Sequence, residues 1–378
     1  MSSETGVYIR LREYLDRLPI GYPATESGEE MRVLRHLFTP EEAELALNLS
    51  MTPEPLGRIH RRLKKTGISR SDLEKVLDRM VSKGSIMGGE KRGEKTYSMV
   101  PLAVGMFEFQ VDRLTRGFVE DMWQYLGGPF GEELHRTRTP QLRAIPIEKS
   151  LPLPRDYPIS THDSIRELVD DLDGPFAVTN CICKQGKDIL GDSCRYTDLR
   201  EVCLLFKGMA EYMLGLGIGR TITKREVFDI LQKAAEAGLV LQPQNTQRPE
   251  FVCCCCGDCC GILVSAKKLP RPAELFANNF YAVVNPDMCN GCSDCLERCQ
   301  MEAITVPGDV ARVDLDRCIG CGNCTVVCAA GAVELRKKDR EMRPPKSMDA
   351  LYQTILAERT GRWHMLKTGV KMLLGMKV

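Results

Sequence analysis

The feature that most constrains this 378-residue chain is a pair of cysteine runs in its C-terminal third. Each run has the spacing Cys-x2-Cys-x2-Cys-x3-Cys, and the second follows the first at an offset of 29 residues. The runs consist of Cys289, Cys292, Cys295 and Cys299, and of Cys318, Cys321, Cys324 and Cys328. Other residues repeat at the same offset, including Gly291 with Gly320. The segment is therefore an internal duplication with four closely spaced thiols in each half.

Eight thiolates at this spacing meet the ligand requirement of two [4Fe-4S] clusters. Residues 280–336 resemble the bacterial-type dicluster ferredoxin domain, where three cysteines of a run hold one cluster and the fourth reaches the other. The resemblance implies one cluster on Cys289, Cys292, Cys295 and Cys328, and a second on Cys318, Cys321, Cys324 and Cys299. The chain departs from that family after the fourth cysteine, where the usual proline is Gln300 in one half and Ala329 in the other. Paired zinc sites are the alternative, although zinc knuckles favour Cys-x2-Cys pairs that are well separated in sequence.

Composition describes an ordinary globular protein that is long enough for two or three domains. A net charge of +1 gives no global field that would attract nucleic acid or an acidic partner. The first residues lack the pattern of a signal peptide, and no run of about 20 apolar residues occurs, so a cytoplasmic location is expected. In that reducing compartment, 18 cysteines favour metal ligation over disulfides. Iron–sulfur chemistry on this scale also suggests an anaerobic or microaerobic host.

Residues 1–105 are predicted to form a small helical domain that ends in a hairpin. Thr39 and Ser69 are helix caps, and residues 85–87 and 96–99 read as two strands of a wing. This order resembles a winged helix. DNA binding would require a basic third helix, but that helix mixes acidic and basic residues. A basic second helix keeps DNA binding as an alternative to a structural or partner-docking role.

Ten further cysteines lie upstream of the duplication. Cys181 and Cys183 form a Cys-x-Cys pair, Cys194 and Cys203 follow singly, and residues 253–260 contain six thiols in eight positions. Neighbouring side chains point in different directions, so these six cannot all be core residues, and some are expected to be ligands. Adjacent cysteines suit a compact iron–sulfur cluster better than zinc, whose ligands are usually spaced by two residues.

This arrangement resembles proteins of anaerobes that are described as 4Fe-4S binding proteins. In them a Cys-x-Cys-Arg/Lys segment and a Cys-Asn-Cys-Cys-x-Asp-Cys-Cys segment precede a ferredoxin domain; here Cys254 stands at the asparagine. The resemblance extends over residues 35–336. We expect an additional centre, with an iron–sulfur cluster favoured and with zinc or redox-active thiols and disulfides as alternatives. Its candidate ligands are Cys181, Cys183, Cys194, Cys203, Cys253, Cys255, Cys256, Cys259 and Cys260.

The predicted fold class is a multidomain α+β protein. Residues 1–105 form the winged-helix-like domain, 106–160 a helix and proline-rich linker, and 161–279 a mostly helical, cysteine-rich domain. Residues 280–340 form the ferredoxin-like domain with its pseudo-two-fold repeat. Residues 341–378 form an amphipathic helix, with Trp363 and Leu366 on its apolar face and basic residues around it. Such a helix can lie on an anionic membrane surface, dock on a partner, or pack on its own core.

The expected function is transfer of single low-potential electrons through two [4Fe-4S] clusters, with a further iron–sulfur centre upstream. Five scattered histidines form no nucleophile–base pair, and no Walker or dinucleotide-binding motif is present. The expected partners are a redox donor and acceptor, and nucleic acid is not expected. One alternative is a reductase that binds substrate at the extra centre. The other is a redox-sensing regulator that uses the winged helix.

Overall fold

A computed structural model of the chain describes residues 3–150 and 161–361. Within them helices are combined with four β-sheets, in agreement with the predicted α+β class. The chain divides into two compact units, one of Met1–Arg136 with Gln353–Val378 and the other of Thr137–Tyr352. The finer boundaries at residues 105, 160, 279 and 340 stay predictions.

The first unit contains a three-stranded antiparallel sheet among helices. The side chain of Thr39 accepts a hydrogen bond from the Glu42 amide, and Ser69 caps its helix in the same way, as predicted. The hairpin is also confirmed, but its first strand runs over Met87–Lys91, beyond the predicted residues 85–87, and its turn lies at Arg92 and Gly93. Its elements are α1 (Ser3–Leu15), α2 (Glu29–Leu37), α3 (Pro40–Ala46), β1 (Glu54–Pro55), α4 (Leu56–Arg62), α5 (Arg70–Ser82), β2 (Met87–Lys91), β3 (Glu94–Ser98), α6 (Arg116–Gly127) and α7 (Pro129–Glu133). The sheet order is β1-β3-β2.

The second unit begins with a five-stranded antiparallel sheet in the order β6-β4-β5-β8-β7. Its elements are α8 (Ile165–Asp170), β4 (Phe176–Asn180), α9 (Ile182–Leu190), β5 (Glu201–Phe206), α10 (Lys207–Gly215), β6 (Arg220–Ile222), α11 (Lys224–Glu236), β7 (Val240–Pro243), β8 (Phe251–Cys255) and α12 (Gly261–Lys267). Helix α11 is capped by Thr223, whose side chain accepts a hydrogen bond from the Glu226 amide.

The sheet is not included in the prediction of a mostly helical middle segment, although helices still contribute more residues than strands between positions 161 and 279. Its strands are at most six residues long, and several are apolar on both faces; β4, for example, is buried from Phe176 through Thr179. Such short buried runs carry no period-2 pattern and cannot be distinguished from pieces of a buried helix by periodicity. Strand β8 contains Cys253, Cys254 and Cys255, and a run of cysteines carries no alternation of residue types that would indicate a strand.

The duplicated segment that follows has one strand–helix–strand set in each half. The elements are β9 (Phe280–Val284), α13 (Asp294–Arg298) and β10 (Ile304–Thr305), then β11 (Arg312–Val313), α14 (Asn323–Val327) and β12 (Val333–Lys337). The outer strands of the two halves pair with each other, β9 with β12, and the inner strands likewise, β10 with β11. The halves are therefore interlocked around a pseudo-two-fold axis, and neither sheet can form from one half alone.

Two repeat-related glycines allow this interlocking. Gly291 and Gly320 have φ angles of 69° and 66°, a region that favours glycine. A Cβ on Gly320 would lie 2.3 Å from the carbonyl oxygen of Phe280, and one on Gly291 would lie 2.9 Å from the Cα of Asp309. Each glycine thus packs closely against backbone that is distant in sequence.

An extended arm precedes the sheet in sequence. The amides of Arg143 and Ile145 donate to carbonyls of β7, so the arm lies along this edge strand, and the Ile147 amide donates to the carbonyl of Cys321. The prolines of the linker at positions 152, 154 and 158 lie outside the described residues. After the duplicated segment comes α15 (Met348–Thr360). The predicted amphipathic face that begins at Trp363 also lies outside the described residues.

Candidate metal centres

One set of four thiols surrounds a cavity within the duplicated segment. Cys299, Cys318, Cys321 and Cys324 line it, together with apolar side chains such as Ile304 and Leu335. We call these four the inner set. Two come from the loop before α14 and one from its first turn, while Cys299 comes from the end of α13 in the other half. The inner set is the same group of four that the ferredoxin resemblance implies.

A second cavity is lined by Cys289, Cys292, Cys295 and Cys328, which we call the outer set. It is the pseudo-two-fold counterpart of the first, and it also matches the implied group of four. Cys292 is exposed, whereas no thiol of the inner set is exposed. The outer set therefore lies nearer to solvent than the inner set.

Backbone amides point at the sulfurs in a pattern that follows the duplication. The four donors are all alanines, and the pairs are Ala303 to Cys299 at 3.3 Å, Ala332 to Cys328 at 3.2 Å, Ala311 to Cys289 at 3.3 Å, and Ala282 to Cys318 at 3.4 Å. N–H donors of this kind stabilise negative charge on sulfur, and hydrogen bonds to sulfur help to set the potential of a bound cluster.

Burial works against ionisation of the inner set. It raises the pKa of Cys321 to about 12 and raises the pKa of Cys324 as well. Buried thiolates need compensating positive charge, which bound iron supplies. The ring of four sulfurs, the amide donors and the apolar walls together fit an iron–sulfur cluster in each cavity.

In the five-stranded sheet the thiols are brought together by strand pairing. Cys203 on β5 lies opposite Cys253 on β8, while Cys181 follows β4 at the start of α9. Strand β8 leads into a turn that ends with Cys260 at the start of α12. All nine predicted ligands lie in this region, but they form two groups.

The first group, the Cys194 group, contains Cys194, Cys256, Asp258 and Cys259. One ligand atom from each lies within 4.8 Å of every other. The sulfurs of Cys194 and Cys256 are 3.5 Å apart, and the Cys194 sulfur is 3.6 Å from Oδ1 of Asp258. Sequence reasoning did not assign Asp258 as a ligand. Its position between two cysteines of the 253–260 run was the available signal.

The second group, the Cys183 group, contains Cys181, Cys183, Cys203, Cys253, Cys255 and Cys260. Its thiols are linked by a series of hydrogen bonds. These bonds join Cys181 to Cys183, Cys183 to Cys260, and Cys260 to Cys255. Cys253 contacts both Cys255 and Cys203. The hydrogen bond with Cys183 lowers the pKa of Cys181 to about 6 against the effect of burial, with help from the charge of Lys184.

A single buried lysine serves both groups. Lys184 is 0% exposed, and its Nζ lies 3.4 Å from the carbonyl oxygen of Cys254. Burial would lower its pKa, but the charges of nearby thiolates, first Cys181 and then Cys256, raise it. A buried ammonium is retained only with compensating negative charge. Lys184 therefore supplies buried positive charge beside thiols of both groups.

Cys254 stands apart from both groups. It is 1% exposed and packs in the apolar core with Val252 and Leu241, on the opposite face of β8 from Cys253 and Cys255. Burial raises its pKa to about 12. Its environment is that of a core residue.

The Cys183 group adjoins the inner set. Cys255 and Cys260 belong to one apolar cluster with Met301 and Ile319, against which three thiols of the inner set pack. The turn between β8 and α12 is joined to the duplicated segment by the Gly257 amide, which donates to Oε1 of Gln300 at 2.6 Å. Gln300 is buried, and it occupies the position where ferredoxins usually have proline. The departure from the ferredoxin pattern at this position therefore coincides with a contact that the sequence does not reveal.

The comparisons agree with the local chemistry. A family model described as a 4Fe-4S binding domain matches residues 310–333. The chain therefore contains an iron–sulfur-binding segment, and the match includes Cys318, Cys321, Cys324 and Cys328. No curated protein and no solved structure matches the chain. Among the described helices, none is long and apolar enough to cross a membrane.

Proposed function

We propose that this chain is an electron-transfer protein in which the outer and inner sets each hold one [4Fe-4S] cluster. We further propose that thiols of the Cys183 group hold a third iron–sulfur centre. The observation that carries the proposal is the pair of cavities, each ringed by four thiols with backbone amides directed at their sulfurs. Ligation by four cysteines is what such clusters require, and N–H donors to the sulfurs tune their potentials.

Bound clusters of this type exchange single electrons without making bonds to a substrate. The chain's own residues would keep the sulfurs dry, donate hydrogen bonds to them, and control which partners approach. The exposure of Cys292 makes the outer set the natural contact point for a redox partner. The shared apolar cluster and the Gly257–Gln300 hydrogen bond support a path from the outer set through the inner set to the Cys183 group.

Iron analysis of the full-length protein, purified without oxygen, tests the proposal. Three centres of the cubane type predict about twelve iron atoms per chain, and loss of one centre removes about four. We expect that loss from Cys292→Ser, from Cys321→Ser and from the double variant Cys183→Ala, Cys260→Ala. Cys254→Ala is the matched control and is expected to keep all the iron.

The variants separate the parts of the proposal. About eight iron atoms in the wild type, unchanged by the Cys183→Ala, Cys260→Ala pair, would remove the third centre and leave the two clusters. Iron that is insensitive to Cys321→Ser would contradict the dicluster assignment. Electron paramagnetic resonance of the reduced protein then assigns each signal to a centre by its absence in one variant.

For the N-terminal unit we propose a winged-helix-like module with a structural or partner-docking role. Basic side chains of α5 and its C-terminal end are engaged within the unit: Arg79 and Lys83 both pair with the buried Glu42, and Lys75 pairs with Asp72. Little unpaired positive charge on this helix is then available for phosphates. Fluorescence anisotropy with a random DNA duplex across a salt series tests this. Binding with a log–log salt slope steeper than about −3, which means more than about three phosphate contacts, would contradict the docking role.

A further inference from the structure

The Cys194 group has the dimensions of a site for one ion. Zinc–sulfur bonds of about 2.3 Å at tetrahedral angles place two sulfurs about 3.8 Å apart, and a carboxylate oxygen about 3.6 Å from a sulfur. The observed separations are 3.5 Å between the sulfurs of Cys194 and Cys256, and 3.6 Å between the Cys194 sulfur and Oδ1 of Asp258. These two separations already fit a four-coordinate shell.

The inner and outer sets differ from the Cys194 group in the spacing of their sulfurs. In a cubane each thiolate binds a different iron, so the four sulfurs stand around the whole cluster. The inner and outer sets have this arrangement around their cavities, and neither brings its four sulfurs within 4.8 Å of one another in the described structure. The four ligand atoms of the Cys194 group do lie within 4.8 Å of one another, which leaves room at their centre for a single ion.

From this geometry we propose that Cys194, Cys256, Cys259 and Asp258 form a separate mononuclear site for one divalent cation of the zinc type. Three thiolates and one carboxylate are accepted zinc ligands, and a closed four-ligand shell is typical of structural sites. The site does not depend on the proposed third iron–sulfur centre, because no ligand is shared between the Cys194 and Cys183 groups.

Neighbouring groups orient and balance this shell. The Arg195 amide donates to Oδ2 of Asp258 at 2.7 Å, which leaves Oδ1 directed at the thiols. Second-shell hydrogen bonds of this kind fix ligating carboxylates. Four anionic ligands carry a formal charge of −4; a divalent cation and the buried Lys184 reduce it to −1. The cation would link the turn before α12 to the loop that carries Cys194, two segments that are more than 50 residues apart in sequence.

Zinc analysis and zinc-edge X-ray absorption of the full-length protein, purified without oxygen and with both metals supplied, test the site. We expect one zinc per chain, bound by three sulfurs and one oxygen. Cys194→Ala and Asp258→Ala are expected to lower the zinc content at least tenfold after dialysis against a chelator, without loss of iron. Cys254→Ala, which removes a buried thiol from the same run, is expected to keep both metals.

A gain-of-ligand variant protects the test against simple misfolding. Asp258→Cys is expected to retain zinc and to change its shell from three sulfurs to four. A wild-type protein without zinc, a shell of other composition, or a loss of about four iron atoms in Cys194→Ala would overturn the proposal. If only the third iron–sulfur centre is wrong, wild-type iron is lower while zinc and its shell are unchanged, so the two proposals fail separately.

Discussion

The duplicated segment and the five-stranded sheet both concentrate cysteines, but they assemble them by different means. In the duplicated segment, three thiols of each set come from seven consecutive residues, and the ferredoxin resemblance implies the fourth. In the sheet region, the Cys194 group joins Cys194 to three residues that are 62 or more positions further along the chain. Its members meet only because the strands place β8 and its turn beside distant loops. Local spacing therefore encodes the first kind of site, and tertiary structure encodes the second.

The two regions also differ in how they stabilise negative charge. Around the inner and outer sets four backbone amides donate to the sulfurs, and the side chain of Asn323 adds one donor to Cys321. In the sheet region backbone amides also contact thiols, such as Cys194 and Cys260, but the buried side chain of Lys184 adds a positive charge near both groups. One substitution can therefore test the charge balance of the sheet region, whereas the backbone donors of the duplicated segment cannot be removed by changing a side chain.

Removal of that lysine is expected to have the largest effect. Lys184→Met keeps the volume of the side chain but leaves buried thiolates without their ammonium, and breaking a buried ion pair typically costs about 3–5 kcal/mol. We expect a lower midpoint of unfolding in guanidinium and loss of metal from the sheet region, with the iron of the duplicated segment retained. Lys187→Met is the matched control, since Lys187 pairs with the largely exposed Asp192, and such pairs contribute about 0–1 kcal/mol. Equal midpoints for the two variants would show that the thiols near Lys184 are neutral.

The difference between the duplicated segment and the five-stranded sheet also determines how much of each site the sequence predicts. The ferredoxin resemblance of the duplicated segment implies the groups of four that line its two cavities. It does not reveal why Gln300 replaces proline, because that side chain contacts Gly257 of a turn more than 40 residues earlier. The nine upstream ligand candidates were found as cysteines, but their division into two groups depends on a sheet that the sequence did not indicate. Asp258 was missed as a member of the Cys194 group for the same reason.

The junction between the two regions should be sensitive to added volume. A Cβ on Gly257 would lie 2.2 Å from the carbonyl oxygen of Gln300, and backbone cannot move aside as a flexible side chain can. Gly257→Ala is therefore expected to cost about 1–3 kcal/mol, the usual range for overpacking. The Cys183 group should separate from the inner set, which slows electron transfer to the third centre while the two clusters remain. Rapid-freeze paramagnetic resonance after mixing with dithionite measures that rate.

Gly208→Ala is the control for this prediction. Gly208 lies in α10, and a Cβ there would meet nothing within 4 Å. We expect unchanged or slightly higher stability, because alanine is favoured over glycine within helices. A rate of reduction in Gly257→Ala equal to that of Gly208→Ala would show that electrons do not cross at this junction.

A smaller effect is expected from the side chain on the other side of the junction. Gln300→Ala removes the acceptor of the Gly257 amide and leaves this buried donor without a partner, at a cost of about 1–2 kcal/mol. Ala329 occupies the equivalent position of the other repeat and is exposed, so Ala329→Ser should be neutral. The comparison is made by unfolding midpoint and by the same rapid-freeze experiment. If both substitutions are neutral, the Gln300 contact is a consequence of packing and does not support the junction.

The smallest predicted effect concerns the potential of one cluster. Nδ2 of Asn323 lies 3.6 Å from the sulfur of Cys321 and also donates to the carbonyl of Gly238 at 3.0 Å. A donor near sulfur stabilises the more negative, reduced state, so Asn323→Ala should lower the potential of the inner cluster. If this hydrogen bond is stronger by about 0.5–1 kcal/mol in the reduced state, its loss lowers the reduction potential by about 20–40 mV for a one-electron couple. Redox titration followed by paramagnetic resonance should show this shift for the inner cluster alone, with the outer cluster as the internal reference. Asn323 donates to Cys321 of the inner set, and among the described residues no such bond to the outer set is seen. A shift shared equally by both clusters would therefore indicate a change in the fold of the whole duplicated segment.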